Sequence, residues 1–177
     1  MKVSTHSYKT KFGVLLLGSW GEKLCLCDWQ FRKKRAVIDK RIQQGLQTDY
    51  NNDKSATIVT AIQQVEEYFA GERKSFSLPL HLVGTPFQKA VWQALQEIPW
   101  GQTETYAGLS ERMQNPKAIR AIATANGANA LSLFVPCHRI IGANGDMVGY
   151  AGGVAVKRKL LEAEGVDFHK GQGLLFT

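Results

Sequence analysis

Two short runs rich in apolar and β-branched residues open the chain, Phe12 to Gly18 and Glu22 to Phe31. Ser19-Trp20-Gly21 separates them, so the pattern predicts a hairpin of two strands. Arg32 to Arg35 is a basic cluster, expected as a solvated loop or strand end. Residues 47–55, rich in Asn, Asp, Thr and Ser, read as a loop. Ile58, Ala61, Ile62, Val65 and Phe69 then recur in steps of three and four, and Gly71 follows as a stop, which is the signature of an amphipathic helix. Phe76 to Leu82 alternates weakly and is a candidate for another strand.

The pattern changes character at Gly84. Thr85-Pro86 supplies a hydroxyl cap and a ring suited to the first helical position. Phe87, Ala90, Val91, Ala94, Leu95 and Ile98 form one predicted buried stripe, ended by Pro99, and Pro99-Trp100-Gly101 is a turn. A short helix is expected from about Thr105 to Met113. A second follows, with Asn115 as its cap and Pro116 as its first residue, running to about Asn126. Two short helices joined by a tight turn suit a helix-turn-helix. A last helix is predicted from Val154 to Glu164, closed by Gly165.

At 177 residues, with 44% apolar and 21% charged, the chain suits one compact domain or two small ones. Its longest apolar runs, Val14 to Leu17 and Leu131 to Pro136, are far too short to cross a bilayer. Residues 1–20 lack the apolar stretch and cleavage site of a secretory signal, so a cytoplasmic location without a membrane partner is expected. A net charge of +7 fits either a solvated basic surface or a polyanionic partner, and charge alone does not choose between them. The three cysteines are expected to be reduced. Cys25 and Cys27 alternate with Leu24 and Leu26 and read as packing residues. Their only free partners for zinc would be His6 and His81, whose spacing does not recommend a site, so no metal is expected.

Leu133-Phe134-Val135-Pro136-Cys137-His138-Arg139-Ile140-Ile141 holds the densest chemistry. An apolar run delivers the chain to Pro136, which fixes the backbone before a thiol, and a potential base and a cation follow at once. A thiol reacts only when ionised, and nearby positive charge lowers its pKa. From the residues alone, a buried structural cysteine between surface neighbours stands equally open.

Pro136-Cys137-His138-Arg139 followed by an aliphatic pair resembles the active-site signature of the O6-alkylguanine-DNA alkyltransferases, also called methylated-DNA–protein-cysteine methyltransferases. Phe87 with Val91-Trp92, Pro99-Trp100-Gly101, Thr105-Tyr106, Asn115-Pro116-Lys117-Ala118, Arg120-Ala121, Asn126 to Asn129 and Gly149-Tyr150-Ala151-Gly152-Gly153 also fall where that family has them. The resemblance is specific over roughly residues 85–166 and looser before. It implies two domains: an α/β domain over 1–84, with a small antiparallel ribonuclease-H-like sheet plus helix, and a mostly α winged-helix/helix-turn-helix domain over 85–177 carrying the active site.

The resemblance also implies roles. Cys137 would take the alkyl group from guanine O6 in a single, irreversible turnover. His138 would be its base through a bound water, Glu164 the carboxylate orienting that imidazole, and Asn129 the brace of the active-site turn. Tyr106 would serve guanine N3 as the base departs. Tyr150, Ala151, Gly152 and Gly153 would wall the guanine pocket, with Ala151 standing where some members carry a serine. The partner implied is double-stranded DNA containing O6-alkylguanine, with O4-alkylthymine as a further candidate substrate. It would be bound in the minor groove with its target base flipped out, by a monomer.

On the DNA side, Arg120 would fill the vacated stack, and Ala118, Ala121, Thr124 and Ala125 would be the small exposed residues of the helix lying in the groove. Lys117, Lys157, Arg158 and Lys159 are candidates for phosphates, and Arg139 is grouped with the DNA- or substrate-binding residues. No cofactor motif occurs, so none is expected. Two other classes compete: a non-catalytic binder of alkylated DNA, against which the retained Cys137 argues, and a thiol hydrolase using Cys137, His138 and Glu164, which would leave Tyr106, Arg120 and the helical pair unexplained.

Overall fold

The computed structural model describes residues 1–168. They pack as two compact units. The first contains Met1–Thr85 and a later return, Ala130–Phe134; the second contains Pro86–Asn129 and the chain from Val135 onward.

The first unit is built on a sheet of order β3-β2-β1-β4, formed by β1 (Val3–Thr10), β2 (Gly13–Trp20), β3 (Lys23–Trp29) and β4 (Tyr50–Asn52). The first three strands are antiparallel neighbours, and β4 runs parallel to β1. The hairpin expected from the sequence is β2–β3. Its turn lies at Gly21-Glu22 rather than Ser19-Trp20-Gly21, because Ser19 and Trp20 remain paired with Leu24 and Lys23. Gly21 takes the left-handed backbone there, with φ of 61°, which glycine adopts without a Cβ clash.

Helix α2 (Ala56–Phe69) buries Ile58, Ala61, Ile62 and Val65, as its periodicity predicts, and Ser55 caps it by accepting from the Ile58 N–H at 3.2 Å. Helix α1 (Arg35–Leu46) is an element the hydrophobic pattern did not announce. Its Ile38 and Ile42 join Val3, Cys25 and Leu26 in one buried cluster. All of Leu24 to Trp29 is buried, so Cys25 and Cys27 are packing residues, and burial raises both thiol pKa values, that of Cys25 to about 12.

Three expectations for this unit are corrected. The loop at 47–55 contains β4. The basic cluster is not simply solvated: Arg32 and Arg35 reach the fully buried Asp28 at 3.0 and 2.8 Å. Phe76 to Leu82 forms no strand and contributes one bridge, Leu80 to Leu24, with the Leu24 N–H donating to Pro79 and the His81 N–H to Leu24. Pro79 has no N–H with which to continue a ladder.

The return segment 130–134, assigned from the sequence to the second domain, lies against the same strand. The Cys27 N–H donates to the Ala130 carbonyl at 2.8 Å, Leu131 bridges Cys27, and the Ser132 hydroxyl donates to Asp28 at 3.2 Å. Phe134 stacks on Phe76 with centroids 4.2 Å apart.

The second unit is mainly helical. Helix α3 (Pro86–Leu95) buries Val91, Trp92 and Leu95, while Ala90 is exposed and Trp92 takes its place on the inner face. The Trp92 indole donates to the Ala125 carbonyl at 2.8 Å. Helices α4 (Tyr106–Arg112) and α5 (Ile119–Gly127) are the expected helix-turn-helix. Helix α5 starts at Ile119 rather than Pro116. Gln114 adopts φ of 57°, and the Asn115 carbonyl closes a turn onto the Ala118 N–H at 3.0 Å, so Asn115 acts through its backbone and not as a side-chain cap.

A two-stranded parallel sheet, β5 (Glu104–Thr105) with β6 (Ile140–Ile141), and helix α6 (Val154–Ala163) complete this unit. Gly165 ends α6 with φ of 84°, the left-handed stop expected of it. No helix among the described residues is long and apolar enough to cross a membrane, and no group of three or more metal-ligating side chains occurs among them.

Candidate active site

Cys137, His138 and Arg139 form a single 3-10 turn, buried throughout, between Pro136 and β6. Two local contacts shape its entry. The Cys137 N–H donates to the Val135 carbonyl at 2.8 Å, and the Asn129 carboxamide donates to the same carbonyl at 2.9 Å. The Asn129 side chain thus holds the backbone just ahead of the thiol.

The mini-sheet brings two distant stretches together. Glu104 pairs with Ile140 and Thr105 with Ile141, which sets β5 beside the strand that follows the Cys137–Arg139 turn, and the chain runs on from β5 through Tyr106 into α4. Thr105 caps α4 by accepting from the Gly108 N–H at 3.0 Å. Arg112 fixes the same start from the other end of α4, with Nη2 2.9 Å from Glu104 Oε2 and 2.8 Å from the Ala94 carbonyl. Burial raises the Tyr106 pKa, and negative charge on Cys137 adds to the rise, so the phenol stays protonated and available as a donor.

Helix α6 supplies the remaining groups. Lys157, Leu160, Leu161 and Glu164 stand at i, i+3, i+4 and i+7, one face of the helix, and all four are buried. Glu164 Oε1 is 2.8 Å from His138 Nε2, and both carboxylate oxygens also take Arg139, at 2.8 Å from Nη2 and 3.0 Å from Nε. Arg139 Nη1 donates to the Ile98 carbonyl at 2.6 Å. Burial by itself opposes ionisation of Glu164, but His138 and Arg139 outweigh it and hold the carboxyl well below its usual range. Burial pushes the His138 imidazolium pKa down, against the attraction of Glu164. The resting pair is therefore an anionic Glu164 accepting from His138 Nε2–H. That tautomer leaves the lone pair on Nδ1, which is the form a base requires.

Tyr150 is half-buried, its ring edge-on to the His138 imidazole with centroids 6.4 Å apart. Ala151 and Gly152 follow it, and Gly153 is the N-cap of α6 with φ of 92°. Lys117, Arg120, Ala121 and Thr124 form a separate exposed group at and beyond the start of α5.

Three assignments are corrected. Arg139 is buried with its guanidinium held by Glu164 and Ile98, so it faces inward and not toward DNA. Lys157 is wholly buried, which removes it from the phosphate-contacting lysines. Ala125 is also buried, while Ala118 is half-buried at the head of α5. One group had been given no role from the sequence: Asn126, buried on α5, whose carboxamide reaches the Tyr106 hydroxyl at 3.5 Å. Its signal was a polar residue on the inward face of an otherwise apolar helix.

Comparison with known proteins agrees with this arrangement over both units. Residues 3–82 match the 6-O-methylguanine DNA methyltransferase ribonuclease-like domain, and residues 86–166 match the DNA binding domain of the same family. A constitutive methylated-DNA–protein-cysteine methyltransferase of Bacillus subtilis is 51% identical over 112 residues, 63% of this chain and 68% of the relative. A methylated-DNA–protein-cysteine methyltransferase of Methanosarcina acetivorans is 53% identical over 105 residues, 59% of this chain and 67% of the relative. Among solved structures, the Mycobacterium tuberculosis O6-methylguanine methyltransferase superposes with a TM-score of 0.77 at 34% identity, covering 92% of each chain. The Mycobacterium tuberculosis OGT in complex with DNA gives a TM-score of 0.79 at 35% identity, over 91% of this chain and 92% of that one. With both domains matched in order and a relative above half identity over most of its length, the chain belongs to the 6-O-methylguanine DNA methyltransferase family.

Proposed function

We propose that this chain repairs alkylated DNA by moving the alkyl group from guanine O6 to the sulfur of its own Cys137. The observation that carries the reading is the burial of Cys137 and His138 in one turn, with His138 Nε2 held 2.8 Å from the buried Glu164 carboxylate. His138 Nδ1 takes the thiol proton, directly or through water. The thiolate attacks the alkyl carbon, a carbon–sulfur bond forms, and the carbon–O6 bond breaks with its electron pair leaving on guanine. Tyr106 gives a hydrogen bond or its proton to guanine N3, which neutralises that charge. Glu164 stabilises the imidazolium formed, the same division of labour between nucleophile, base and orienting acid that hydrolases use. The product is a thioether, which nothing in this site can cleave, so each molecule acts once.

Tyr150 with Ala151, Gly152 and Gly153 forms the wall against which the flipped purine rests. The exposed Lys117, Arg120 and Ala121 meet the duplex from its minor groove, Arg120 taking the place of the extruded base and Lys117 a phosphate. Small side chains at Ala118 and Ala121 permit close backbone approach without reading base edges, which suits a protein that must act at any sequence. We place the reaction in the cytoplasm and assign it to a monomer.

Intact-mass measurement after mixing the protein with a duplex containing one O6-methylguanine tests the reading. Addition of one CH2 per molecule, abolished in Cys137→Ser, is the expected result. Tight binding with unchanged mass would assign the chain to the non-catalytic binders instead.

A further inference from the structure

Helix α5 turns Ile122, Ala125 and Asn126 inward, the i, i+3 and i+4 positions of one face. Ile122 and Ala125 are apolar, as a packed face requires. Asn126 is not, yet it is only 7% exposed. The Trp92 indole holds the backbone beside it by donating to the Ala125 carbonyl. A buried carboxamide is costly unless both of its ends are matched. One end is: Nδ2 donates to the Tyr106 hydroxyl oxygen at 3.5 Å. The other end is not. Asn126 Oδ1 is buried and has no partner among the described residues.

An unused acceptor therefore stands next to the hydroxyl to which the reaction proposed above assigns guanine N3. A phenol that accepts from Asn126 keeps its own proton for a different acceptor. Hydroxyl and carboxamide thus present one donor and one acceptor side by side. On guanine, the carbon adjoining N3 is C2, which carries the exocyclic amino group. That edge of the purine offers an acceptor at N3 and a donor at the amino group, the complementary order.

We propose that Asn126 is a specificity-determining residue, whose Oδ1 accepts from the 2-amino group of the flipped guanine while its Nδ2 supports Tyr106 at N3. The inference rests on the transfer reaction proposed above and deepens it by naming the feature of the base that the site selects. Three hydrogen bonds close a ring: Tyr106 to N3, the 2-amino group to Oδ1, and Nδ2 to the hydroxyl. A base without the amino group leaves Oδ1 buried and unmatched, which a site built for the contact penalises. O4-alkylthymine is disfavoured further, because it carries a carbonyl oxygen in the corresponding place and two acceptors then face each other.

Single-turnover transfer is measured from duplexes carrying O6-methylguanine or O6-methylhypoxanthine, which lacks only the 2-amino group, for the full chain, Asn126→Leu and Asn126→Asp. The unaltered protein is expected to favour O6-methylguanine by about fivefold to tenfold, the scale of one hydrogen bond whose loss leaves a buried partner unmatched. Asn126→Leu removes the acceptor and is expected to bring that ratio toward one. Asn126→Asp keeps an acceptor and is expected to keep the preference. A variant that is merely damaged slows both substrates by the same factor. An unmoved ratio in Asn126→Leu therefore overturns the proposal, as does equal use of both bases by the unaltered protein. Should Asn126→Leu not fold, the Asn126 carboxamide is followed by NMR in Cys137→Ser bound to each duplex. A shift of its carbonyl carbon with O6-methylguanine alone is expected, and the same spectrum with both duplexes overturns the contact. That shift, seen without any transfer by the unaltered protein, would sink the reaction and uphold the base contact.

Discussion

Glu164 Oε1 lies 2.8 Å from His138 Nε2, and neither side chain is accessible to solvent. A buried carboxylate is tolerated only where its lone pairs are taken, and here an imidazole and a guanidinium take them. The contact decides which nitrogen of the imidazole remains basic, so it governs both the chemistry and the stability of the helical unit.

Glu164→Gln removes the anion while keeping the shape. Arg139 then stays buried without a counter-charge, and the change is expected to cost about 3–5 kcal/mol of stability, the range for breaking a buried ion pair from one side. Chemical denaturation reads the stability, and single-turnover transfer is expected to fall by about a hundredfold or more, the scale of a misdirected general base.

The pH dependence follows from the same pair. His138 has a folded pKa below its ordinary 6.5, so below that value the unfolded chain takes up a proton the folded one refuses, and stability falls. Glu164 has a folded pKa below its ordinary 4.5, so its contribution is present above that value and is lost as the pH drops further. Urea midpoints are expected to decline from about neutrality downward, and His138→Asn should flatten the upper part of that decline. In the intact protein the acid limb of the transfer rate should lie below 6.5, because the base stays neutral there. A limb at or above the ordinary histidine value would contradict the burial argument.

Asn129→Ala deletes the donor to the Val135 carbonyl and leaves the Cys137 N–H as that oxygen's remaining partner in the turn. A buried carbonyl that loses one of its donors is expected to cost about 1–3 kcal/mol. Transfer should slow by more than the stability change explains, since the thiol itself is displaced. Thermal melting and transfer rate on the same sample separate the two effects.

Arg120→Ala makes the opposite prediction. The side chain is exposed at the start of α5, so folding stability should change by less than about 0.5 kcal/mol. Transfer from duplex should fall strongly, while reaction with the free base O6-benzylguanine, which needs no extrusion, should be nearly unaffected. Equal losses on both substrates would remove Arg120 from the DNA side of the mechanism.

Legibility in the sequence tracked how each element is buried. Helix α2 was readable because Ile58, Ala61, Ile62 and Val65 meet the core at helical spacing. Strand β1 was not, since only Val3 and Thr5 are buried on it, and Ser7 and Lys9, in the same alternation, are exposed, which breaks the pattern. Helix α1 carries only Ile38 and Ile42 to the core among basic and amide side chains, and it ends on Gln47 in the left-handed region without a glycine to mark the stop. In the site, Cys137, His138 and Asn129 were legible from the motif. Lys157 was misassigned because Lys157-Arg158-Lys159 has the look of a solvated basic run. The i, i+3, i+4, i+7 spacing to Leu160, Leu161 and Glu164 was already in the sequence, and it marks both charged residues as inward-facing. Arg139 was misassigned for a related reason: adjacency to a thiol says nothing about which way a side chain turns once the backbone winds into a 3-10 turn.

The five residues Ala130–Phe134 leave the helical unit, complete the edge of the sheet unit's third strand and hand the chain back at Val135, two positions ahead of the nucleophile. The peptide therefore passes between units at 85/86, 129/130 and 134/135, and no single cleavage yields two whole pieces. A recombinant or evolutionary exchange that swapped only one half would strand this segment without its native strand partner. Any such exchange has to move Ala130–Phe134 together with the strand it pairs with, although the residues on either side of it belong to the helical unit.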